Sequence, residues 1–249
     1  MSGVGADRFA AIADIHGNAD ALAAVLADME AQGVAASVNL GDCLGGPLWN
    51  ARTVGMLRAR PMPTVRGNHD RCIVAPPGGR HSRWDAWAAE ELDAGALGWL
   101  AALPAVLDLG DVFLCHATPA CDLTYWLHEA GLGRMIPRPL SVIEALTGTT
   151  DAGLILCGHT HQQAAVTLPD GRMVVNPGSV GSPAYEDDVP EPHVSEAGSP
   201  HARYAILTRS GQGWSVAFRL IPYDATAAVA RARARGADDW VRSLTLGRV

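Results

Sequence analysis

Apolar positions along this chain switch repeatedly between short continuous runs and stripes with a 3.6-residue period. Arg8–Asp14 (RFAAIAD) reads as a buried strand that ends at a carboxylate. The period then changes: Ala19, Leu22, Val25, Leu26 and Met29 share one face of a helix that Asn18 can cap and Gly33 stops. Ser37–Leu40 is the next strand, closing on Gly41-Asp42. Ala51–Arg60 is a second helix, and Pro63–Arg66 a third strand, closing on Gly67-Asn68-His69-Asp70. This alternation of strand and helix is that of stacked βαβ units, an α/β chain.

The middle predicts short helices at Trp84–Leu92 and Ala96–Leu103, strands at Val106–Leu109 and Val112–Cys115, and helical patterns at Tyr125–Ala130 and Leu140–Leu146. Strands then dominate: Leu154–Cys157, Ala164–Leu168 and Met173–Asn176, the last two joined at Asp170-Gly171, a strong hairpin signal. Tyr204–Thr208 and Trp214–Leu220 predict another hairpin, and Ala225–Arg235 an Ala/Arg-rich helix. Ser182–Pro200 carries four prolines, acidic residues and glycine without periodicity, and reads as a long loop. No internal repeat or linker divides the chain. The expectation is one domain over 1–249, with a core at about 8–220 and a helical tail at 224–249.

Composition narrows the classes. The 249 residues are 48% hydrophobic and 18% charged, enough apolar material for a sizeable core. A net charge of -7 and a pI near 5.7 argue against an electrostatic grip on nucleic acid or an anionic membrane, but leave room for a phosphorylated substrate whose charge metal ions neutralise. The five cysteines, Cys43, Cys72, Cys115, Cys121 and Cys157, include no CxxC pair, so neither a disulfide framework nor a thiolate zinc site is expected, and a cytoplasmic setting fits. No apolar run approaches the roughly 18 residues of a membrane span. The N-terminus reaches a strand too soon for a signal peptide.

The chemistry lies at the strand ends. One strand ends in Asp14-Ile15-His16, the next in Asp42, the third in Asn68-His69-Asp70, Val112–Cys115 in His116, and Leu154–Cys157 in His159-Thr160-His161. Open α/β sheets gather ligands at the carboxyl ends of their strands, so these groups are expected to converge in one cleft. Asp14, His16, Asp42, Asn68, His116, His159 and His161 are too many donors for one tetrahedral zinc site and suit two metal ions sharing a carboxylate. Oxygen and nitrogen donors without thiolate favour Mn²⁺, Fe, Zn²⁺ or Ni²⁺ over Cu(I) or Fe–S clusters. One aspartate alone is usually a cap or a turn and one histidine alone a satisfied surface or core residue, and His81, His128, His193 and His201 are expected to be of that ordinary kind.

The ordered motifs ADIHGNADAL, NLGDCLGGP, VRGNHD, LCHATP, LCGHTHQ and VVNPGSVG resemble the calcineurin-like metallophosphoesterase superfamily, most closely its small bacterial phosphodiesterase branch, from about Phe9 to Tyr204. The resemblance implies a two-sheet β-sandwich flanked by helices, with the site at one edge. It implies a first metal on Asp14, His16 and His161, a second on Asn68, His116 and His159, and Asp42 bridging both. It implies that His69 binds no metal but touches the phosphate or protonates the leaving group, with Asp70 orienting it. The expected activity is phosphoester hydrolysis by a metal-activated water, in particular of a nucleotide-type phosphodiester. Two other activities share the motifs: phosphomonoester or phosphoprotein hydrolysis, and dinucleoside polyphosphate cleavage. GDCLGGP and RGNHD depart from the GDxVDRG and RGNHE of Ser/Thr phosphatases. A reading of another class is a non-catalytic scaffold, but such members lose ligands, and every expected position is filled in this chain. The family often carries Arg where this chain has Ala120, which implies different substrate contacts. Trp49, Tyr125, Trp126 and Tyr185 are candidate stacking residues, and Arg71 and Arg203 candidate phosphate contacts or ion pairs.

Overall fold

Burial with a period of two sets the layers. In the first strand Ala10 and Ile12 join a core with the helices, while Phe9, Ala11 and Ala13 join a second core between sheets. The computed structural model describes residues 7–76, 82–211 and 213–249. In chain order it runs β1 (Arg8–Ile12), α1 (Ala19–Ala31), β2 (Ser37–Asn39), α2 (Asn50–Ala59), α3 (Asn68–Ile73), α4 (Arg83–Glu91) and α5 (Ala94–Ala101). Then follow β3 (Val106–Asp108), β4 (Val112–Cys115), β5 (His128–Gly131), β6 (Arg134–Pro137), α6 (Leu140–Ala145), β7 (Leu154–Leu156), β8 (Gln163–Thr167) and β9 (Met173–Pro177). The last elements are β10 (Ala184–Asp187), β11 (His193–Glu196), β12 (Ala202–Ser210), β13 (Gly213–Ile221), α7 (Thr226–Ala234) and α8 (Asp238–Leu246).

One sheet has the order β13-β12-β1-β2, the other β3-β4-β7-β9-β8. Their inner faces meet through Phe9, Ala11, Val38 and Leu207 on one side and Val112, Leu114, Leu156 and Val175 on the other. On the outer face of the first sheet lie α1, α2, α4 and α5, with Leu22, Val25, Met29, Val54 and Leu100 buried; Ile143 of α6 lies on the outer face of the second. The expected sandwich flanked by helices is the one found. β1 is parallel to β2, and β4, β7 and β9 are mutually parallel, so the carboxyl ends of the ligand-bearing strands gather at one edge.

Four sequence expectations change. Pro63–Arg66 makes only an isolated bridge, Asn39 to Thr64, and the motif behind it starts a helix, α3, with Gly67 at its N-cap. Tyr125–Ala130 is not a helix. Trp126 inserts into the core, where its Nε1 donates to Ile143 O, and the chain then forms the β5–β6 hairpin around Leu132-Gly133, both at positive φ (56° and 73°), which outweighs helix periodicity. Ser182–Pro200 is not a loop but holds β10 and β11, which join that hairpin in a third sheet, β10-β11-β6-β5. In β11 the inward positions are polar, His193 and Ser195, so burial alternates where hydrophobicity does not. His193 is buried and satisfied, with Nε2 3.1 Å from Tyr125 Oη, an ordinary core histidine and so one of the two expectations for it. His81 lies outside the described residues. The tail contains a second helix, α8, set off from α7 by Gly236 at φ 64°.

Candidate metal centre

Five of the seven expected ligands leave the sheet edge in a sharp turn. Asp14, His16, Asp42, His159 and His161 all have left-handed φ, between 49° and 69°, a conformation that costs a non-glycine residue energy and that the surroundings must impose. The imposition is visible. Asp14 N donates to Gly41 O and Ile15 N to Asp42 O, which ties the first two loops together. Ser179 Oγ donates to Asp14 O, and Asn176 Nδ2 donates to Gly158 O at 2.6 Å, so the Asn176–Ser179 turn braces two ligand loops from behind.

The side chains form two adjoining groups. In one, His161 Nε2 lies 3.5 Å from Asp14 Oδ1 and 3.2 Å from His16 Nε2. In the other, His116 Nε2 lies 3.0 Å from Asn68 Oδ1 and 3.3 Å from Asp42 Oδ2, with the His159 ring stacked edge-on at 5.2 Å. Asp42 Oδ2 is also 3.8 Å from His16 Nε2, which places this carboxylate between the groups. Asp14, His16, Asp42, His116 and His161 are all buried.

Donor accounting shows what such a cluster accepts. His161 Nδ1 faces Ser182 O at 2.6 Å, His116 Nδ1 faces Leu40 O at 2.8 Å, and His159 Nε2 faces Leu123 O at 3.1 Å. A carbonyl only accepts, so those nitrogens carry the protons and the other nitrogen of each neutral ring turns a lone pair inward. Lone pairs of imidazole, amide and carboxylate then face one another, and His16 Nδ1 is buried without a partner. In the ion-free protein protons must fill the gap: burial and the Asp42 charge push Asp14 up to about 8, and Asp42 and Asp14 override burial to hold His116 at about 10. Burial drives His16 down to about 4 and His159 to about 3. An acceptor-only cavity of this kind fits cations, with Asp14, His16 and His161 able to hold one and Asp42, His116 and His159 a second, Asn68 Oδ1 lying beside His116.

His69 stands beside this set. Its backbone N donates to Asp42 Oδ1, and its ring packs edge-on to His16 at 5.0 Å. Asp70 does not orient it. The buried Asp70 carboxylate accepts from Gly67 N, Cys43 N and Leu44 N, which fixes the two motif loops to each other. The carboxylate on His69 Nδ1 is Asp85, at 2.7 Å, a residue that sequence reading passed over because it looks like an ordinary first-turn acid of α4.

The centre floors a cleft of about 550 Å³ walled by Tyr125, Tyr185, Trp84 and Trp240. Trp240 comes from α8 and packs edge-on to His16 at 6.2 Å; nothing in its amphipathic helix marks it in the sequence. Of the other candidates, Trp126 is core and Trp49 packs against Arg231. Arg71 is paired with Asp122, and Arg203 donates to the carbonyls of Ala197, Ser199 and His201. Cys115 and Cys157 face the core behind the ligand loops.

A layered sandwich with this nitrogen and oxygen set at one edge defines a metal-dependent phosphoesterase. The chain belongs to the calcineurin-like phosphoesterase superfamily: the family model for that superfamily domain matches residues 8–191. Among solved structures it is similar to a metallophosphoesterase from Sphaerobacter thermophilus, at 26% identity over 96% of this chain and 99% of that one, with a TM-score of 0.73. It is also similar in fold to hypothetical protein PH1004 from Pyrococcus horikoshii OT3, at 18% identity over 96% and 98% of the two chains, with a TM-score of 0.76. No curated protein matches the chain.

Proposed function

We propose that this protein is a dinuclear-metal phosphodiesterase acting on a small, nucleotide-type phosphodiester. The observation that carries the reading is the placement of Asp42 Oδ2 3.3 Å from His116 Nε2 and 3.8 Å from His16 Nε2, between two acceptor-only groups. The bound ions supply charge neutralisation and an acidified water. The donor set suits Mn²⁺ first, with Fe, Zn²⁺ or Ni²⁺ as alternatives. The chain's own residues do the rest. Asn68, His116 and His159 and the Asp14 group would hold the ions. His69, its Nδ1 engaged, uses Nε2 to hand a proton to the leaving oxygen. In the ion-free protein burial pulls its pKa down, but Asp42 and Asp85 override this and hold His69 at about 9.

The cleft's charge favours a diester. Among the described residues lining it none is Arg or Lys, whereas Glu186, Asp187 and Asp239 are present. Among the described residues, Arg83 pairs with the lining Asp239 and Arg242 with the lining Glu186. A diester's single charge asks for the fewest cations beyond the metals; a monoester or polyphosphate asks for more. Tyr185 and Trp84 offer walls to a flat base. The five unpaired cysteines support a reducing, cytoplasmic setting. The test is hydrolysis by stripped, Mn²⁺-reloaded protein of bis-p-nitrophenyl phosphate, p-nitrophenyl phosphate and diadenosine tetraphosphate in parallel. Faster diester turnover is expected. Preference for the monoester or the dinucleotide would replace the diester assignment, and two bound ions without hydrolysis of any would favour a scaffold.

A further inference from the structure

The carboxylate that holds His69 comes from outside the sequence motifs, and its surroundings are built for it. Asp85 is 2% exposed. Its Oδ1 lies 2.7 Å from His69 Nδ1, and its Oδ2 accepts from Ser82 N at 3.1 Å and Ser82 Oγ at 2.8 Å. Ser82 Oγ in turn caps Asp85 N, a reciprocal capping box. Helix capping explains Oδ2 alone; Oδ1 is turned to His69 Nδ1.

Gly45 supplies the second observation. It follows Asp42 at φ 94°, and a Cβ there would stand 2.8 Å from both Asp85 Oδ1 and His69 Cβ. The loop carrying the central carboxylate is therefore shaped around the Asp85–His69 pair. The carboxylate of Asp70, next to His69 in sequence, is already taken by three backbone N–H groups.

We propose that Asp85 is the positioning residue of this site: it accepts from Nδ1–H of the protonated His69 ring and aims Nε2–H at the leaving-group oxygen. This rests on the hydrolase reading above, and it makes the docking of α4 part of the active site. As the P–O bond to the leaving group breaks, its electron pair stays on the leaving oxygen, the His69 Nε2–H bond breaks and the O–H bond of the leaving alcohol forms; the ring is left neutral with its proton on Nδ1, and Asp85 stays ionised throughout.

The test is Asp85→Asn, which keeps the volume but can donate where Asp85 accepts. With metal-loaded protein, kcat should fall about 100-fold on a dinucleoside monophosphate, whose alkoxide leaving group needs the proton. It should fall under about 10-fold on bis-p-nitrophenyl phosphate, whose leaving group does not. KM and metal content should hold. Asp93→Ala, which removes the cap of α5 (Asp93 Oδ1 accepting from Ala96 N at 2.7 Å), should lower Tm without any such split. Nitrogen-15 NMR of the His69 ring gives a readout independent of turnover: the Nδ1-protonated form should be lost in Asp85→Asn. Equal losses on both substrates, or an unchanged His69 tautomer, would overturn the assignment. Wild-type protein inert on both substrates would instead strike the hydrolase reading, leaving the tautomer to decide the geometry.

Discussion

Gly67 and Asp42 fit together only because Gly67 has no side chain. A Cβ on Gly67 would stand 2.1 Å from Asp42 Oδ1 and 2.4 Å from Asp42 N. The backbone of Gly67 is ordinary, at φ -85° and ψ 176°, so space alone demands glycine at this position. Gly67→Ala should displace Asp42, lower stability by about 1–3 kcal/mol and cut metal content. Gly55→Ala, in α2 with nothing within 4 Å, should gain about 0.5–1 kcal/mol. Thermal unfolding and elemental analysis of the two variants check the pair.

Asp42→Asn keeps the shape and removes the charge between the two groups. Occupancy at both positions should fall together, whereas His116→Ala should empty mainly the Asn68–His159 side. Metal stoichiometry by mass spectrometry separates the outcomes, and full occupancy in Asp42→Asn would reject a shared carboxylate.

Ion-free protein should lose stability as pH rises. Burial and Asp42 raise folded Asp14 to about 8, and Asp42 outweighs burial to keep His116 near 10, both above their unfolded values. Stability from such groups is complete below the unfolded pKa and is lost as pH climbs, from about 4 to 8 for Asp14 and from about 6.5 to 10 for His116. Burial depresses His16 to about 4, and a histidine kept neutral this way costs stability below about 6.5. Between about 4 and 6.5 the Asp14 and His16 effects offset each other, so Tm in chelator should be highest below about 6.5 and fall above it. Metal occupies the place of the protons, so the alkaline fall should flatten in Mn²⁺. A fall of the same slope with and without metal would contradict this.

Trp240 joins α8 to the centre, packed among Leu48, Ala228, Ala232 and Leu244 and edge-on to His16. Trp240→Ala should cost about 3 kcal/mol and raise KM for nucleotide diesters, while Trp240→Phe restores most of the stability. Unfolding curves and steady-state kinetics check both. An unaltered KM would remove Trp240 from the substrate wall.

The ligand set was legible because it is written in residue types. Carboxylate, amide and imidazole fall in order after strand after strand, and the strands themselves carry apolar runs. Three things were not legible. The left-handed turns at Asp14, His16, Asp42, His159 and His161 run against residue preference, since tertiary bonds impose them. The third sheet hid because His193 and Ser195 point inward, so polar residues occupy the positions that usually announce a strand. Asp85 hid because its partner is in another element, and a capping box reads the same with or without a histidine beside it. Asp70 misled for the opposite reason: adjacency in sequence suggested a contact that the turn into α3 directs elsewhere.

The position of β1 between β2 and β12 bears on how the chain matures. β1 is parallel to β2 but antiparallel to β12, which is made of residues 202–210. During synthesis the first strand emerges early and waits with one edge bare until almost the whole polypeptide has followed. His161 waits likewise for Ser182 O, the carbonyl that fixes its tautomer. A product that stops before Ser182 carries Asp14, His16 and Asp42 but lacks the carbonyl that fixes His161, and one that stops before β12 leaves β1 exposed at a β edge.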